Sequence, residues 1–510
     1  MRNGIGILRE RWVRRFRVAG GATLMVGALL VGNASAQRIE RIEIDLGTFG
    51  FNELASLNPS LVYRPVDDFG VRPGGDALGL GGAYIARAKG PQAIGWTPAG
   101  IVEGEGGSLY VDGYSLRSSG EATGFPLALD IPGSGSIFTS GYSQNLKGGM
   151  KPGMVAASAP LWESGESRLV GGLSWRRYVN TAYPEETVSD FIFEGVGGFP
   201  VVITLDRQER GAIEAVAPTL GYRLNRMFSV GVNLNYLTGR LRARTENRVN
   251  AGAPIPAGLQ RISLKYEGFA ADLGARAALE NLPMPLAVAA RFTPAYTVRV
   301  RGGDFRNESL VAPGAPQILI DGKLAGYDMD IPASFSIGAE LKVSPRLALV
   351  ADLNQHNWSE TELSYANAGL ESQLGRPTLP LRDVSTVNVG AEYLFLSRSW
   401  GDLPLRAGFR TAPQSFSALD STDVSSLDGD ALFEGSDQIE GNAWSAGASL
   451  ITGNVSFDLG FEQLSYDLSK LYFDSPRGSF TNPDGAIVDV KRQIRTIRFS
   501  ATYRMGSGER

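Results

Sequence analysis

The sequence predicts an all-β protein: a transmembrane antiparallel β-barrel of about 14 strands with an N-terminal segment packed inside its lumen. Three observations predict this fold: an N-terminal export leader, strands with unlike faces along most of the chain after Gly106, and connections that alternate between short and long. Residues 455–462 show the strand pattern, with Val, Phe or Leu at odd positions and Ser, Asp, Gly or Glu at even ones. Because a strand sends alternate side chains to opposite faces, one face is apolar and the other is polar.

Residues 1–36 have the organisation of a signal peptide. Five arginines lie between positions 9 and 17, an apolar run fills residues 18–31, and Ala34-Ser35-Ala36 forms a cleavage site. The run is shorter than the roughly 20 residues that span a bilayer as a helix, which disfavours the alternative of an N-terminal anchor. We therefore expect export to the cell outer membrane and a mature chain that begins at Gln37.

Composition excludes several classes of protein. The chain of 510 residues has no cysteine, which excludes disulfide-stapled domains and Cys-ligated metals, and no metal or other cofactor is expected. The sequence has 49 basic and 53 acidic residues, and the leader holds six arginines and one glutamate. The mature chain would therefore carry a net charge near −9, which argues against a nucleic-acid partner. No later segment resembles a transmembrane helix, so an exported chain is either soluble or a barrel.

Short and long connections alternate along the chain, as in outer-membrane barrels with short periplasmic turns and long extracellular loops. The predicted short turns lie at 163–166, 225–226, 281–283, 344–345, 397–402 and 452–454. The predicted long connections lie at 180–208, 246–258, 302–317, 367–382, 413–441 and 469–490. A soluble β-sandwich gives no reason for this rhythm.

The barrel is expected over residues 107–505, with its first strand at 107–116 and a C-terminal tail at 506–510. Residues 136–144 also alternate, and we place them in the first extracellular loop because the strand count must be even. The strands within 259–279 and 318–343 are long enough to project beyond the outer surface, since about 9–11 residues cross the bilayer.

Residues 68–106, before the first strand, are expected to fill the lumen. They are rich in Gly, Ala and Pro, lack strand alternation and include Tyr84 and Trp96 as large anchors, a composition that forms compact turns and short helices. A barrel of about 14 strands lies between filled eight-stranded barrels and open porins, so its lumen needs an occupant. Residues 37–67 remain unassigned.

Two motifs in this segment resemble the N-terminal hatch of the FadL/TodX family, outer-membrane transporters of long-chain fatty acids and aromatic hydrocarbons. They are Leu80-Gly81-Gly82-Ala83-Tyr84 and Trp96-Thr97-Pro98-Ala99-Gly100-Ile101. Further stretches resemble the family's barrel, at 218–224, 228–231, 330–335, 350–352, 357–359, 389–393 and 405–409. By this resemblance the hatch residues are Gly81, Gly82, Tyr84, Trp96, Thr97, Pro98 and Ala99. The chain departs from the family at Thr97, where Asn is usual, and at its end, which runs past the last aromatic residue.

The resemblance implies a passive channel for hydrophobic small molecules, with capture at extracellular loops, gating by the hatch and lateral exit into the membrane beside a kinked third strand. The third strand is predicted at 168–179, with Gly171 and Gly172 as the kink; alternatively, the two glycines relieve crowding in the wall. The expected partners are a hydrophobic substrate and outer-membrane lipid, and we expect a monomer.

Substrate contacts are predicted at two places. An apolar patch after the third strand would capture substrate through Phe191, Phe193 and Phe199, unless this loop packs on its neighbours. Arg176, Arg177 and Arg291 are candidate partners for a substrate carboxylate, with salt bridges near strand ends as the alternative.

The inward face is predicted to carry many charged side chains, either as a paired ladder that stiffens the wall or as the lining of a conduit. They are Glu340, Lys342, Asp352, Glu392, Arg406, Arg410, Asp458 and Glu462. Three competing functions stay open: an outer-membrane hydrolase built on His356 and Asp352, a PorV-like subunit that binds protein-secretion partners, and a general porin.

Overall fold

The computed structural model describes most of the chain beyond the leader. The described residues are 41–49, 72–104, 106–123, 128–131, 135–180, 186–194, 200–250, 254–309, 317–365, 368–374, 381–415, 438–467 and 489–505. The predicted signal peptide, Phe199 and the C-terminal tail lie outside them. Across these ranges, no helix has the length and apolar character needed to cross a membrane.

Strands dominate the described residues and are numbered in chain order. They are β1 (Arg41–Phe49), β2 (Gly107–Thr123), β3 (Ala128–Ile131), β4 (Gly135–Ser164), β5 (Ser167–Val179), β6 (Glu186–Glu194), β7 (Pro200–Arg223), β8 (Phe228–Asn250), β9 (Pro254–Leu279), β10 (Leu286–Thr293), β11 (Tyr296–Arg301), β12 (Asp304–Ser309), β13 (Gln317–Leu324), β14 (Tyr327–Ile331), β15 (Ser334–Ser344), β16 (Leu347–His356), β17 (Glu362–Tyr365), β18 (Val384–Arg398), β19 (Gly401–Thr411), β20 (Gly441–Thr452), β21 (Val455–Asp467) and β22 (Asp489–Met505). The helices are α1 (Gly75–Gly79), α2 (Ala368–Leu374) and the 3₁₀ turns η1 (Gly90–Gly95), η2 (Pro98–Glu103) and η3 (Trp358–Glu360).

The strands close into a barrel of 14 antiparallel staves, which confirms the predicted fold class. A stave is here one full-length strand of the barrel wall or the consecutive shorter strands that take its place. Four staves are divided: β5 with β6, β10 with β11 and β12, β13 with β14 and β15, and β16 with β17. The circuit closes where β22 pairs with β2, from Gly107 opposite Met505 to Thr123 opposite Asp489. Two strands lie outside it: β3 pairs with β4, and β1 pairs in parallel with β13.

The two faces of each stave meet different surroundings. In β21, Phe457 and Leu459 are exposed on the outside, whereas Asp458 and Glu462 are buried on the inside. The same division holds in β8, where Val230, Leu234 and Tyr236 are exposed and Asn233 and Asn235 are buried. The apolar face therefore points away from the lumen, as the alternation predicts.

The structure corrects the predicted loops at the long-connection end. Residues 136–144 are not in a loop; they form the upper part of β4 and pair with β2, β3 and β6. Much of 180–208 and 246–258 is strand, because β6, β7, β8 and β9 extend through it. The 26 residues of β9 far exceed the roughly 9–11 that cross a bilayer, so the wall continues beyond the membrane.

Candidate functional site

Residues 72–104, called here the inner segment, lie inside the barrel at the level of its short turns. The backbone N–H groups of Tyr84 and Ile85 both donate to Asp352 Oδ2 of β16, at 2.6 and 2.9 Å. Farther round the wall, Ser445 Oγ of β20 donates to the Gly79 carbonyl, and Asn233 Nδ2 of β8 donates to the Ile94 carbonyl. Anchors on opposite sides of the wall place the inner segment across the lumen.

The first predicted hatch motif forms the tightest contact with the wall. Gly81 and Gly82 have φ of +67° and +74°, a conformation that L side chains rarely adopt. A Cβ on Gly81 would lie 2.8 Å from the backbone nitrogen of Phe409 in β19. Glycine is thus required here both by the backbone conformation and by the close approach to the wall.

Tyr84 and Trp96 form the core of the inner segment. Their ring centroids are 5.4 Å apart, and Trp96 Nε1 donates to the Pro73 carbonyl at 2.8 Å. The Tyr84 hydroxyl donates to Asp76 Oδ2. Burial, reinforced by the Asp76 charge, raises the pKa of Tyr84, so the phenol keeps the proton that it donates.

The second predicted hatch motif packs on the wall opposite the first. Thr97 is fully buried, and its Oγ1 lies 3.4 Å from the Ala290 carbonyl of β10. Pro98 begins η2 and lies against Gly231 of β8, and the Ala99 carbonyl accepts a hydrogen bond from Ser229 at 3.2 Å.

The inward charges hold the inner segment and each other. Arg87 pairs with Glu340, 2.6 Å between Nη1 and Oε1, and with Glu392. Glu392 also pairs with Arg406 at 2.7 Å. Arg410 forms a bidentate ion pair with Glu462, with both N–O distances at 2.9 Å. Asp458 accepts a hydrogen bond from the Ser500 hydroxyl, and Lys342 is exposed. This arrangement matches the paired ladder rather than the lining of a conduit.

A chamber lies directly on the inner segment, on the side of the long connections. It comprises two small cavities of about 90 and 120 Å³ that share Arg72, His356 and Trp358. Gly95 and Trp96 contribute to its floor, and Tyr178 and Tyr296 stand in its wall. Beyond these tyrosines the inward side chains form one apolar cluster that includes Val298, Met329, Ile331 and Leu363.

Two of the three arginines predicted to meet a carboxylate are already paired with a buried wall residue, Asp272. Arg291 contacts Asp272 Oδ1 through Nε and Nη2, at 3.1 and 2.7 Å, and Arg176 Nη2 lies 3.4 Å from Oδ2. Thr293 and Asn235 also donate to this carboxylate. Both arginines, with Arg177, border the chamber, so its wall combines positive charge with aromatic surface.

The third stave is broken beside the chamber. β4 pairs with β5 as far as Met154 opposite Arg176, and resumes with β6 at Lys147 opposite Glu186. Between these ladders, residues 148–153 of β4 and 177–180 of the third stave are not paired with each other. Met150 is 70% exposed in this interval, and Arg177, Tyr178 and Val179 face the chamber. Among the described residues, the ladder between β4 and the third stave is therefore interrupted where the chamber meets the wall.

The third stave is not interrupted at Gly171 and Gly172, where the kink is predicted. Both residues sit in a regular ladder, opposite Ala159 and Ser158, with no shift of register. A Cβ on Gly172 would lie 2.5 Å from Ile101 Cδ1 of the inner segment. At Gly172 the missing side chain therefore admits the inner segment to the wall, and the stave breaks only after Val179.

The predicted capture residues fall largely in a strand. The backbones of Phe191 and Phe193 belong to β6, which pairs with β4 and β7, and Phe199 lies outside the described residues. The hydrolase alternative finds no assembled site among the described residues. Asp352 accepts the two backbone N–H groups of the inner segment, and His356 stacks on Trp358 with centroids 5.4 Å apart.

A closed 14-stranded antiparallel barrel that holds its N-terminal segment inside defines a class of β-barrel fold, and solved structures share this fold. A FadL homologue from Pseudomonas aeruginosa is 13% identical, covering 85% of this chain and 98% of that chain, with a TM-score of 0.52. The CymD monoaromatic hydrocarbon channel is 14% identical, covering 86% and 99%, with a TM-score of 0.50. No family model matches the chain, and no curated protein matches its sequence.

Proposed function

We propose that this chain is an outer-membrane channel for passive uptake of hydrophobic small molecules, such as long-chain fatty acids or aromatic hydrocarbons. The single observation that carries the proposal is the interruption of a ladder beside the chamber, where residues 148–153 of β4 and 177–180 of the third stave are not paired with each other. The fold shared with a monoaromatic hydrocarbon channel supports it.

The proposed path begins at the long-connection end, which faces the cell exterior. Substrate enters the apolar lining around Val298, Met329 and Leu363 and reaches the chamber, where the inner segment blocks the direct way to the short-turn end. It then leaves sideways between β4 and β5 into lipid. Transfer of apolar surface out of water releases roughly 25 cal/mol per Å², so no energy source is needed.

The cysteine-free sequence allows a direct test of the exit. Met150→Cys places a single thiol where the ladder between β4 and the third stave is interrupted, and a bulky thiol reagent bound there should block the proposed exit. We expect labelled cells to lose most uptake of a radiolabelled fatty acid or toluene, whereas unlabelled Met150→Cys cells take up substrate like the wild type.

Leu173→Cys is the matched control, because Leu173 is 55% exposed on the outside of β5 within a regular ladder. Labelling this variant should leave uptake intact. Full uptake after complete labelling at position 150 would rule out the proposed exit.

A further inference from the structure

An outward-facing cluster of cations lies just beyond the lipid-facing band. Tyr236 of β8 and Phe269 of β9 are directly opposed and more than half exposed, as expected of the aromatic edge of a membrane band. Arg240 follows Tyr236 by four residues on the same face, about 13 Å along the strand. The ladder from Tyr236 to Arg244 has no shift of register, so the outward face continues without interruption into this region.

The cations of this cluster stand directly opposite one another. The like-charged pairs are Arg210 with Arg242, Arg240 with Lys265, and Arg244 with Arg261. These six residues are called here the basic face. Like charges directly opposite in a sheet destabilise it, so the pairs without an acidic neighbour among the described residues call for a negative counter-charge from outside the chain.

Neighbouring cations on the same outward face are matched by acids. Arg299 pairs with Asp328 at 3.1 Å, Arg301 with Glu267 at 2.7 Å and Arg248 with Glu246 at 2.8 Å. Within the basic face, Arg244 and Arg261 have one acidic contact each. Arg210, Arg240, Arg242 and Lys265 form no ion pair with any residue that the structure describes. Within the described part of the chain, Arg210, Arg240, Arg242 and Lys265 thus lack the acidic partners that their neighbours on this face have.

The basic face borders a concave space large enough for a ligand. A cavity of about 1070 Å³ lies against β7, β8, β9, β12 and β13, with Asp45 of β1 at its edge. Six cations line it, Arg210, Arg242, Arg244, Arg261, Arg306 and Lys323, against three acids, Asp45, Asp304 and Asp321. The excess of positive charge favours an anionic occupant.

We propose that the basic face binds the phosphate groups of lipopolysaccharide in the outer leaflet. The height of these cations above the aromatic edge places them at the level of lipid headgroups, where each basic residue contributes attraction for anionic lipid. Arginine forks bind phosphate oxygens in pairs, and bound phosphates would neutralise the opposed cations. This inference goes beyond the proposed function and shares with it only the orientation of the barrel.

The test compares two double variants of the full-length protein in detergent. Arg240→Gln with Arg242→Gln removes two unmatched cations, whereas Arg248→Gln with Arg299→Gln removes two matched cations from the same face. Binding of purified lipopolysaccharide is measured by titration, with dephosphorylated lipopolysaccharide as the second ligand. Attraction of about 1 kcal/mol per cation predicts a Kd about 25-fold weaker for the first variant, less than threefold weaker for the second, and weak binding of the dephosphorylated ligand by all proteins.

A second measurement separates binding from misfolding. Without lipopolysaccharide, Arg240→Gln with Arg242→Gln should unfold at the wild-type temperature or above it, because repulsion is removed. Equal weakening of binding in both variants, equal affinity for the dephosphorylated ligand, or no binding by the wild type would overturn the inference. Substrate uptake is expected to be unchanged in both variants, so failure here is distinguishable from failure of the proposed channel.

Discussion

At the scale of single residues, Asp272 is a fully buried carboxylate of the wall with partners on both oxygens. Its Oδ1 accepts hydrogen bonds from Arg291 and Thr293, and its Oδ2 accepts one from Asn235 and lies beside Arg176. A buried carboxylate is tolerated only with such partners. Asp272 therefore holds two chamber arginines in place, and those arginines depend on its charge.

Asp272→Asn should destabilise the barrel by about 3–5 kcal/mol, because it leaves the buried Arg176 and the partly buried Arg291 without their carboxylate. Urea-dependent unfolding of the detergent-solubilised protein measures the change. Glu267→Gln is the control, since its pair with Arg301 is exposed and should contribute less than about 1 kcal/mol. Similar losses of stability in the two variants would show that the Asp272 network contributes no more to folding than an exposed ion pair does.

At the scale of elements, the fit between the inner segment and the wall depends on glycine. Gly390 and Gly408 of neighbouring staves lie against Leu80, and Gly231 lies against Pro98. A side chain at these positions would overlap backbone atoms, which cannot move aside as a flexible side chain can. The wall is thus shaped to receive this one segment.

Gly408→Ala should displace the inner segment, because the new Cβ would overlap the Gly81 nitrogen and the Leu80 carbonyl carbon. Overpacking of this kind costs about 1–3 kcal/mol. We expect higher ion conductance in planar bilayers and faster proteolysis of residues 72–104. Gly258→Ala, where the nearest atom lies 3.8 Å away, should behave like the wild type; if the two variants conduct alike, the seating of Gly81 is not what closes the lumen.

At the scale of the whole molecule, the barrel closes where its last stave meets its first. Arg498 of β22 and Asp112 of β2 form a buried ion pair across this seam, with 2.9 Å between Nη1 and Oδ2. Asp112 also accepts the Gly74 N–H of the inner segment. Closure of the ladder and seating of the inner segment therefore share one carboxylate.

Arg498→Met should lower stability by about 3–5 kcal/mol, because a buried Asp112 charge is left without its partner. Adding Asp112→Asn to this variant should restore much of the loss, since no buried charge remains. Both effects are measured by the temperature at which the barrel unfolds, which is seen on gels as a change in its mobility. Additive losses in the double variant would indicate that the two residues act independently.

The sequence predicts the barrel well because alternation is a property of each strand by itself. It predicts strand ends poorly above the membrane, where β7 and β8 continue with polar residues on the outward face and resemble loops. Asp272 is missed because a buried acid looks like any inward polar residue until its partners from β5 and β10 are known. The sequence contained one signal for the end of β5 after Val179, namely Pro184, because proline has no N–H group to donate to a β-ladder.

The apolar cluster above the chamber has a consequence for how cargo would meet the cell surface. Because β8 and β9 carry their inward apolar faces well beyond the length that crosses a bilayer, the proposed channel would keep an apolar lining through the hydrated sugar layer outside the membrane. An apolar molecule that enters the barrel at its outer end would stay in contact with apolar side chains until it reaches the hydrocarbon interior of the membrane. In a channel that works as proposed, the carbohydrate barrier would be bypassed rather than crossed.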